Sequence, residues 1–248
     1  MGATLAGMTA PLRAFSSLVA GGLALALVLA GCASAAGGSP APESTADENT
    51  SDSSYAPRAA WLDSTSFVLK VWGDACAPQI GDLIAGEQSL EIVLVDGEDE
   101  VCAAVQTAHG IYLGLPASFD SSRAVELIVT DAGGQTTELT LAGLAAGEII
   151  PADRMPAQTP AATWIDDDEL AILTWGSSTC MPGSGTFEAV GETEGIVRLE
   201  STTDGICTMD LVPQITFVPA EGVAAEAALT LEGHVGADGG PVVLTVVM

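Results

Sequence analysis

The sequence predicts an all-β protein made of two tandem small β-sandwich domains of immunoglobulin-like architecture, each with one disulfide. Three observations predict this class. Short runs of β-branched residues alternate with turn residues about every ten positions. One set of residues occurs twice in the same order. The hydrophobic fraction of 48%, with only 16% charged residues, is typical of a chain that folds around a core.

The strands of the first copy are predicted from these apolar runs. We expect them near residues 66–72, 90–96, 101–107, 110–115, 124–130 and 136–142. Turn residues separate the runs, as at Asp131-Ala132-Gly133-Gly134, where glycine supplies the positive φ of a tight hairpin. Residues 142–146 carry the one hint of helix in this copy.

The duplication is visible in tryptophan and cysteine positions. Trp61 recurs 103 positions later as Trp164, and the other matches keep the same order. The remaining matched pairs are Trp72 with Trp175, Cys76 with Cys180, and Cys102 with Cys207. We therefore predict one repeat at 58–147, a linker rich in Ala and Pro at 148–160, and a second repeat at 161–248. Residues shared by both copies are expected to maintain the fold, with the tryptophans packed against the disulfides.

The N-terminus has the pattern of an export signal. Residues 1–31 contain no acid, one basic residue at Arg13, and an apolar run that ends at Ala30. Leu29-Ala30-Gly31-Cys32 resembles a bacterial lipobox. That resemblance implies cleavage before Cys32 and lipidation of its thiol, and two acyl chains suffice for stable anchoring. We expect a protein anchored by lipid to the extracytoplasmic face of the cell membrane.

Residues 32–57 are predicted to be a disordered tether. They are small, polar and acidic residues with Pro, and they carry almost no large apolar side chain. Such a segment cannot bury enough surface to offset the loss of chain entropy on folding. The tether would hold the folded part near the membrane while leaving it free to turn.

Four cysteines remain once Cys32 is acylated, and they allow three pairings. The duplication favours pairing inside each copy, which gives Cys76–Cys102 and Cys180–Cys207. An exported protein meets oxidising conditions in which such bonds persist. Each bond would close a loop of about 27 residues and contribute roughly 3–4 kcal/mol in the chain-entropy model.

The charge balance limits the choice of partner. Six basic residues stand against 33 acidic ones, and the formal net charge is −27. A chain this acidic repels phosphate, which excludes nucleic acid and anionic lipid headgroups as expected partners. A cationic protein or peptide would instead be attracted by the charge.

No catalytic motif is present, so neither an enzymatic activity nor a cofactor is expected. Nucleophile elbows, zinc-protease helices and phosphate-binding loops are all missing from the sequence. His109 and His234 are isolated and are expected at the surface or in loops. A cell-wall hydrolase with dispersed carboxylates is the less favoured alternative, because such pairs meet only in space.

Two acidic runs favour a second alternative, a calcium-binding lipoprotein. Calcium takes about six to eight oxygen ligands and suits acidic loops at the ends of β-sandwiches. The weak candidate ligands are Asp96, Glu98, Glu100, Asp166 and Asp168. Neither run has the spacing of a calcium-binding loop, and a solvated charged surface is the favoured interpretation.

The repeated segments also suggest a family. Trp72-Gly73 before Cys76-Ala77-Pro78, and Trp175-Gly176 before Cys180-Met181-Pro182, stand behind the lipobox. This arrangement resembles that of uncharacterised two-repeat lipoproteins of actinobacteria. The resemblance implies a location at the membrane and no particular activity. The expected function is a non-enzymatic binding module for a cell-surface partner.

Overall fold

A computed structural model describes residues 53–97, 101–149, 158–200, 205–235 and 240–247. Within these ranges the chain forms fourteen strands and one short 3-10 turn at Ser53–Tyr55, which confirms the all-β class. The described ranges hold no apolar helix of membrane-spanning length. The predicted signal segment, Cys32, most of the tether and half of the linker lie outside the described residues.

The first half, residues 58–141, contains seven strands in two sheets. They are β1 (Arg58–Asp63), β2 (Ser66–Gly73), β3 (Gln79–Ala85), β4 (Ser89–Val95), β5 (Thr107–Gly114), β6 (Val125–Thr130) and β7 (Thr136–Leu141). One sheet has the order β1-β2-β5 and the other the order β3-β4-β6-β7. Neighbouring strands are antiparallel except β4 and β6, which are parallel.

The second half, residues 161–247, contains the other seven strands. They are β8 (Ala161–Asp166), β9 (Glu169–Gly176), β10 (Gly185–Ala189), β11 (Glu194–Leu199), β12 (Val212–Pro219), β13 (Ala228–Val235) and β14 (Pro241–Val247). Here β8-β9-β12 and β10-β11-β13-β14 follow the same pairing order as in the first half. A parallel pairing of β14 with β8 joins them into one seven-stranded sheet.

Alternation along each strand divides the apolar residues between two faces. In β2, Phe67 and Leu69 face one way and pack against residues of the four-stranded sheet, such as Ile92 and Leu127. In β9, Leu170 and Ile172 similarly pack against residues of β11, β13 and β14. Each half therefore has its own apolar core.

A third apolar cluster lies between the halves. Val68 of β2 packs there with Ala171 and Leu173 of β9. The approach is close, because a Cβ added at Gly110 on β5 would lie 2.3 Å from the Ile215 side chain of β12. The sheets thus stack in succession rather than as two clearly separate immunoglobulin-like sandwiches. The tandem arrangement expected from the sequence is confirmed only as all-β with two disulfides.

The predicted strands match the structure in part. The runs at 66–72, 90–96, 124–130 and 136–142 are strands, and 110–115 lies within or next to β5. The strand predicted at 101–107 is wrong: this stretch is loop up to residue 106, and Val101 is fully exposed. Its backbone bonds to the neighbouring loop, where Ala75 N donates to Ala103 O at 3.0 Å. Strands β1 and β3 are not among the predicted ones, and residues 142–146 form no helix.

Candidate functional site

Both predicted disulfides are present. Cys76–Cys102 and Cys180–Cys207 have Cα–Cα distances of 5.6 and 5.4 Å. Each links the loop that leaves β2 or β9 to the loop that enters β5 or β12, which pair with β2 and β9. The bonds therefore hold together the loops at one end of a three-stranded unit, which is a structural role.

The expected surface position of His109 is wrong. His109 lies on β5 and is buried, with Nε2 2.7 Å from the carbonyl oxygen of Asp74. Gln214 occupies the matching position on β12 and donates from Nε2 to Ser177 O at 2.6 Å. Both polar side chains anchor the disulfide loop beside them, because a buried polar side chain requires a hydrogen-bond partner. His234, on β13, is exposed, as expected.

A hydroxyl-rich cluster lies in the second disulfide loop. Asp210 Oδ1 accepts a hydrogen bond from Ser178 N at 3.1 Å and another from the Thr208 hydroxyl. Hydrogen bonds from Ser178 and Thr208 lower the pKa of Asp210 to about 2. The Ser177 and Thr208 hydroxyls also bond each other at 2.8 Å. These contacts fix the conformation of the loop.

The four tryptophans differ in burial. Trp61 is 5% exposed, belongs to the first core and donates from Nε1 to Ala142 O at 2.7 Å, which confirms a core role for it. Trp164, Trp72 and Trp175 are only partly buried. The ring of Tyr55 meets Trp72 edge-on at 5.1 Å. Trp164 and Trp175 pack at the margins of the second core and of the third apolar cluster, respectively.

Within the second acidic run, two of the side chains form ion pairs. Asp166 pairs with Arg58 of the first half, and Glu169 pairs with Lys70. Asp168 is exposed, and its backbone oxygen accepts a hydrogen bond from Ala220 N. In the first run, Asp96 is exposed, while Glu98 and Glu100 lie outside the described residues.

One group of potential metal ligands occurs in the described part of the chain, at Asp74, Cys76 and Cys102. The two sulfur atoms form a disulfide and provide no thiolate, which is the form of cysteine that binds metals. The group is therefore unsuited to a cation. The calcium alternative gains no support from these residues.

Lys70 is the one lysine of the chain and lies between the two halves. Its side chain is only 7% exposed. The ammonium group bonds to Glu169 and lies 5.0 and 4.8 Å from the ring centres of Trp72 and Phe217. The carboxylate and the two aromatic faces together offset the loss of hydration of the buried charge.

The exposed face of the β3-β4-β6-β7 sheet is acidic, and we call it the acidic outer face. It carries the side chains that alternate with the core residues of these strands. Its acids are Asp82, Glu91, Glu126 and Glu138. Lys and Arg are absent from all four strands. Apolar side chains lie among the acids, and Ile84 and Ile128 flank Glu91 across the sheet.

The corresponding face of the second half is partly neutralised by a basic residue of its own. Arg198 on β11 donates from Nη1 to Glu188 at 2.7 Å and from Nε to Glu232 at 2.5 Å. Both hydrogen bonds raise the pKa of Arg198. The two faces therefore differ in charge although their strands pair in the same order.

Strand β3 forms a fully exposed edge of the acidic outer face. Among the described strands it pairs only with β4, and all seven of its residues are exposed. Three of them are large and apolar, with exposed fractions of 42% for Ile80, 41% for Leu83 and 50% for Ile84. An edge with unpaired backbone groups is a template for another strand.

The β3–β4 hairpin determines which backbone groups reach this edge. Gly86 N donates to Ser89 O at 2.8 Å, so these two residues form a hydrogen-bonded pair. In an antiparallel ladder, every second residue along β3 from Gly86 bonds to β4, and the residues between them direct their backbone groups to the other side. The amides of Leu83 and Ala85 therefore point away from β4. Asp82 Oδ1 accepts the Leu83 amide at 2.8 Å, so a carboxylate lies at the free edge.

Comparison of the chain with protein families, with curated proteins and with solved structures finds no match.

Proposed function

We propose that the chain is a non-enzymatic binding module, tethered to the extracytoplasmic face of the membrane through Cys32, that takes a cationic protein or peptide. The acidic outer face is the observation that carries this proposal. Four carboxylates share one sheet surface with exposed apolar side chains and no basic residue. A surface of this kind attracts basic partners and offers them apolar contact once they arrive.

The duplication supports different roles for two sandwich units, 58–147 and 161–248. Strand pairings in the same order support an origin of both units from one immunoglobulin-like sandwich. In the second unit, Arg198 already occupies the place that a partner's cation would take. The first unit therefore presents the binding surface, and the second supports it through the shared apolar cluster.

The positions of the acidic side chains favour a basic partner over a calcium ion or a catalytic role. Glu91, Glu126 and Glu138 lie on the three neighbouring strands β4, β6 and β7, where they are spread over a sheet surface rather than gathered in a loop. Calcium needs several oxygens around one point. A basic peptide needs negative charge along a surface, which this sheet provides.

The proposal is tested by neutralising the acidic outer face. The full chain, purified in a nonionic detergent, is titrated with a fluorescent peptide of four Lys-Val repeats. The variant Glu91→Gln/Glu126→Gln/Glu138→Gln is expected to bind roughly tenfold more weakly at low salt, since it loses the attracting charge. Glu192→Gln/Glu221→Gln/Glu226→Gln removes the same charge from exposed positions of the second half and is the matched control.

An equal loss in both variants would show attraction by net charge alone and would contradict a site on the first half. A wild-type chain that binds no Lys-Val peptide at low salt would contradict the proposed function as a whole.

A further inference from the structure

We propose that the basic partner binds as an added β-strand along the free edge of β3. This inference rests on the proposed function and specifies its binding mode. Strand addition uses backbone hydrogen bonds for affinity and alternate side chains for specificity. The structure offers both at β3, where the outward amides of Leu83 and Ala85 lie next to exposed apolar and acidic side chains.

Both halves end in an edge strand, but β3 is exposed on both of its sides, whereas β10 packs its core-facing side against its own half. In the second half, β10 lies against β12, and a Cβ at Gly185 would lie 2.5 Å from the Val218 side chain. Phe187 of β10 packs onto the second core. Strand β3 makes no comparable approach to β5, and Ile80 and Leu83 on its core-facing side stay exposed.

The two sides of β3 define the chemistry of the added strand. Leu83 pairs with Ile92 and so lies on the core-facing side, while Asp82 pairs with Val93 on the acidic outer face. An extended segment that alternates apolar and basic residues would place the apolar ones beside Leu83. Its basic residues would lie beside Asp82 and Glu91.

Asp82 makes the pairing of a new strand at this edge depend on the charge of that strand. Its carboxylate accepts the outward amide of Leu83, which blocks one donor of the edge in the free protein. A basic side chain from the arriving segment attracts this carboxylate and frees the amide for the new strand. An acidic or neutral strand has no group that would draw the Asp82 carboxylate away from the Leu83 amide.

Charge also argues against a second copy of this chain as the occupant. Pairing two β3 edges would bring together two chains that each carry a formal net charge of −27. Their acidic outer faces would become continuous, and like charges at such distances repel. A basic segment satisfies the same backbone groups without this cost.

The mode is tested by blocking the outward amide. Ala85→Pro removes a donor that faces the free edge and leaves the β4 ladder intact, since proline is tolerated at such positions. Ala189→Pro is the matched control, because Ala189 ends the edge strand β10 and is exposed like Ala85. The Lys-Val peptide is expected to bind Ala85→Pro roughly tenfold more weakly and Ala189→Pro within about twofold of wild type.

Two further probes test the same binding mode without relying on the folding of Ala85→Pro. Leu83→Lys keeps the backbone but replaces the apolar contact for the incoming strand with a positive charge, and it should weaken binding to a similar degree. A Lys-Val peptide with alternate backbone N-methyl groups keeps its charge but loses donors, and it should bind wild type as weakly.

The outcomes separate the two proposals. Unchanged binding by Ala85→Pro, Leu83→Lys and the N-methylated peptide would overturn strand addition and leave the proposed function standing. Absence of any binding to wild type would overturn both. A wild-type dimer that Ala85→Pro dissociates, measured by light scattering, would identify a second copy as the occupant and overturn the inference.

Discussion

Lys70 and Glu169 form an ion pair whose partners differ in their access to water. The Lys70 side chain is 7% exposed, whereas that of Glu169 is 21% exposed. Removing one member of a buried pair leaves the other charge without compensation. The cost of a single substitution therefore depends on which of the two charges remains.

Glu169→Gln is expected to destabilise the protein by about 3 kcal/mol, because it leaves the buried ammonium without a counter-ion. Lys70→Met is expected to cost less than about 1.5 kcal/mol, since methionine keeps most of the volume and water can reach the remaining carboxylate. Urea unfolding, with an m-value that stays constant between variants, measures the change in the free energy of unfolding for each. Equal losses, or a larger loss for Lys70→Met, would contradict the asymmetric burial.

Asp210 determines a local dependence on pH in the second disulfide loop. Its pKa in the folded chain is about 2, against an ordinary value of 3.8. Because the folded pKa is the lower one, its contribution to loop order is present above about pH 4 and is lost as the pH falls towards 2. The carboxyl carbon resonance of Asp210 should titrate at about pH 2.

Thr208→Val removes one hydrogen-bond donor to this carboxylate and should raise the pKa of Asp210 towards 3.8. An unchanged titration in Thr208→Val would show that the Thr208 hydroxyl does not stabilise the charged form.

At the level of elements, an unbroken apolar alternation predicts a strand correctly. Strand β3 is not predicted, because Gly81 and Asp82 interrupt the run between Ile80 and Leu83. The strand predicted at Val101 is wrong because valine favours strands, whereas the disulfide holds this stretch in a loop. Duplication alone was enough to pair the four cysteines correctly.

The candidate site could not be read from the sequence, because it depends on strand order. Nothing local to Gln79–Ala85 indicates that this strand lies at an edge, or that β4 pairs with β6 rather than with another strand. The acids of the outer face come from strands distant in sequence. Their alternation with core residues is a signal that the sequence contains, but the denser acidic runs in the loops are the more conspicuous one.

At the level of the whole molecule, the halves share more than a linker. Val247 of β14 is 7% exposed and packs in the first core, although its strand belongs to the sheet of the second half. Its carbonyl accepts the Thr163 hydroxyl at 3.1 Å. Together with the third apolar cluster, the packing of Val247 in the first core predicts that the two halves unfold together.

Leu127→Ala and Leu231→Ala test this cooperativity, because each removes a fully buried side chain from one core. Each should cost about 2–5 kcal/mol. Both should shift one common urea transition, seen alike by tryptophan fluorescence and by circular dichroism. Two transitions, each moved by only one of the variants, would show that the halves unfold independently.

The central claim is that a basic partner docks on the first half at β3 and the acidic outer face. Hydrogen exchange of the full chain with and without the Lys-Val peptide tests this directly, because added strands protect edge amides. The account predicts slower exchange over residues 79–95 and unchanged exchange over residues 185–199. Slowing confined to the second half, or no change anywhere while the peptide is bound, would contradict it.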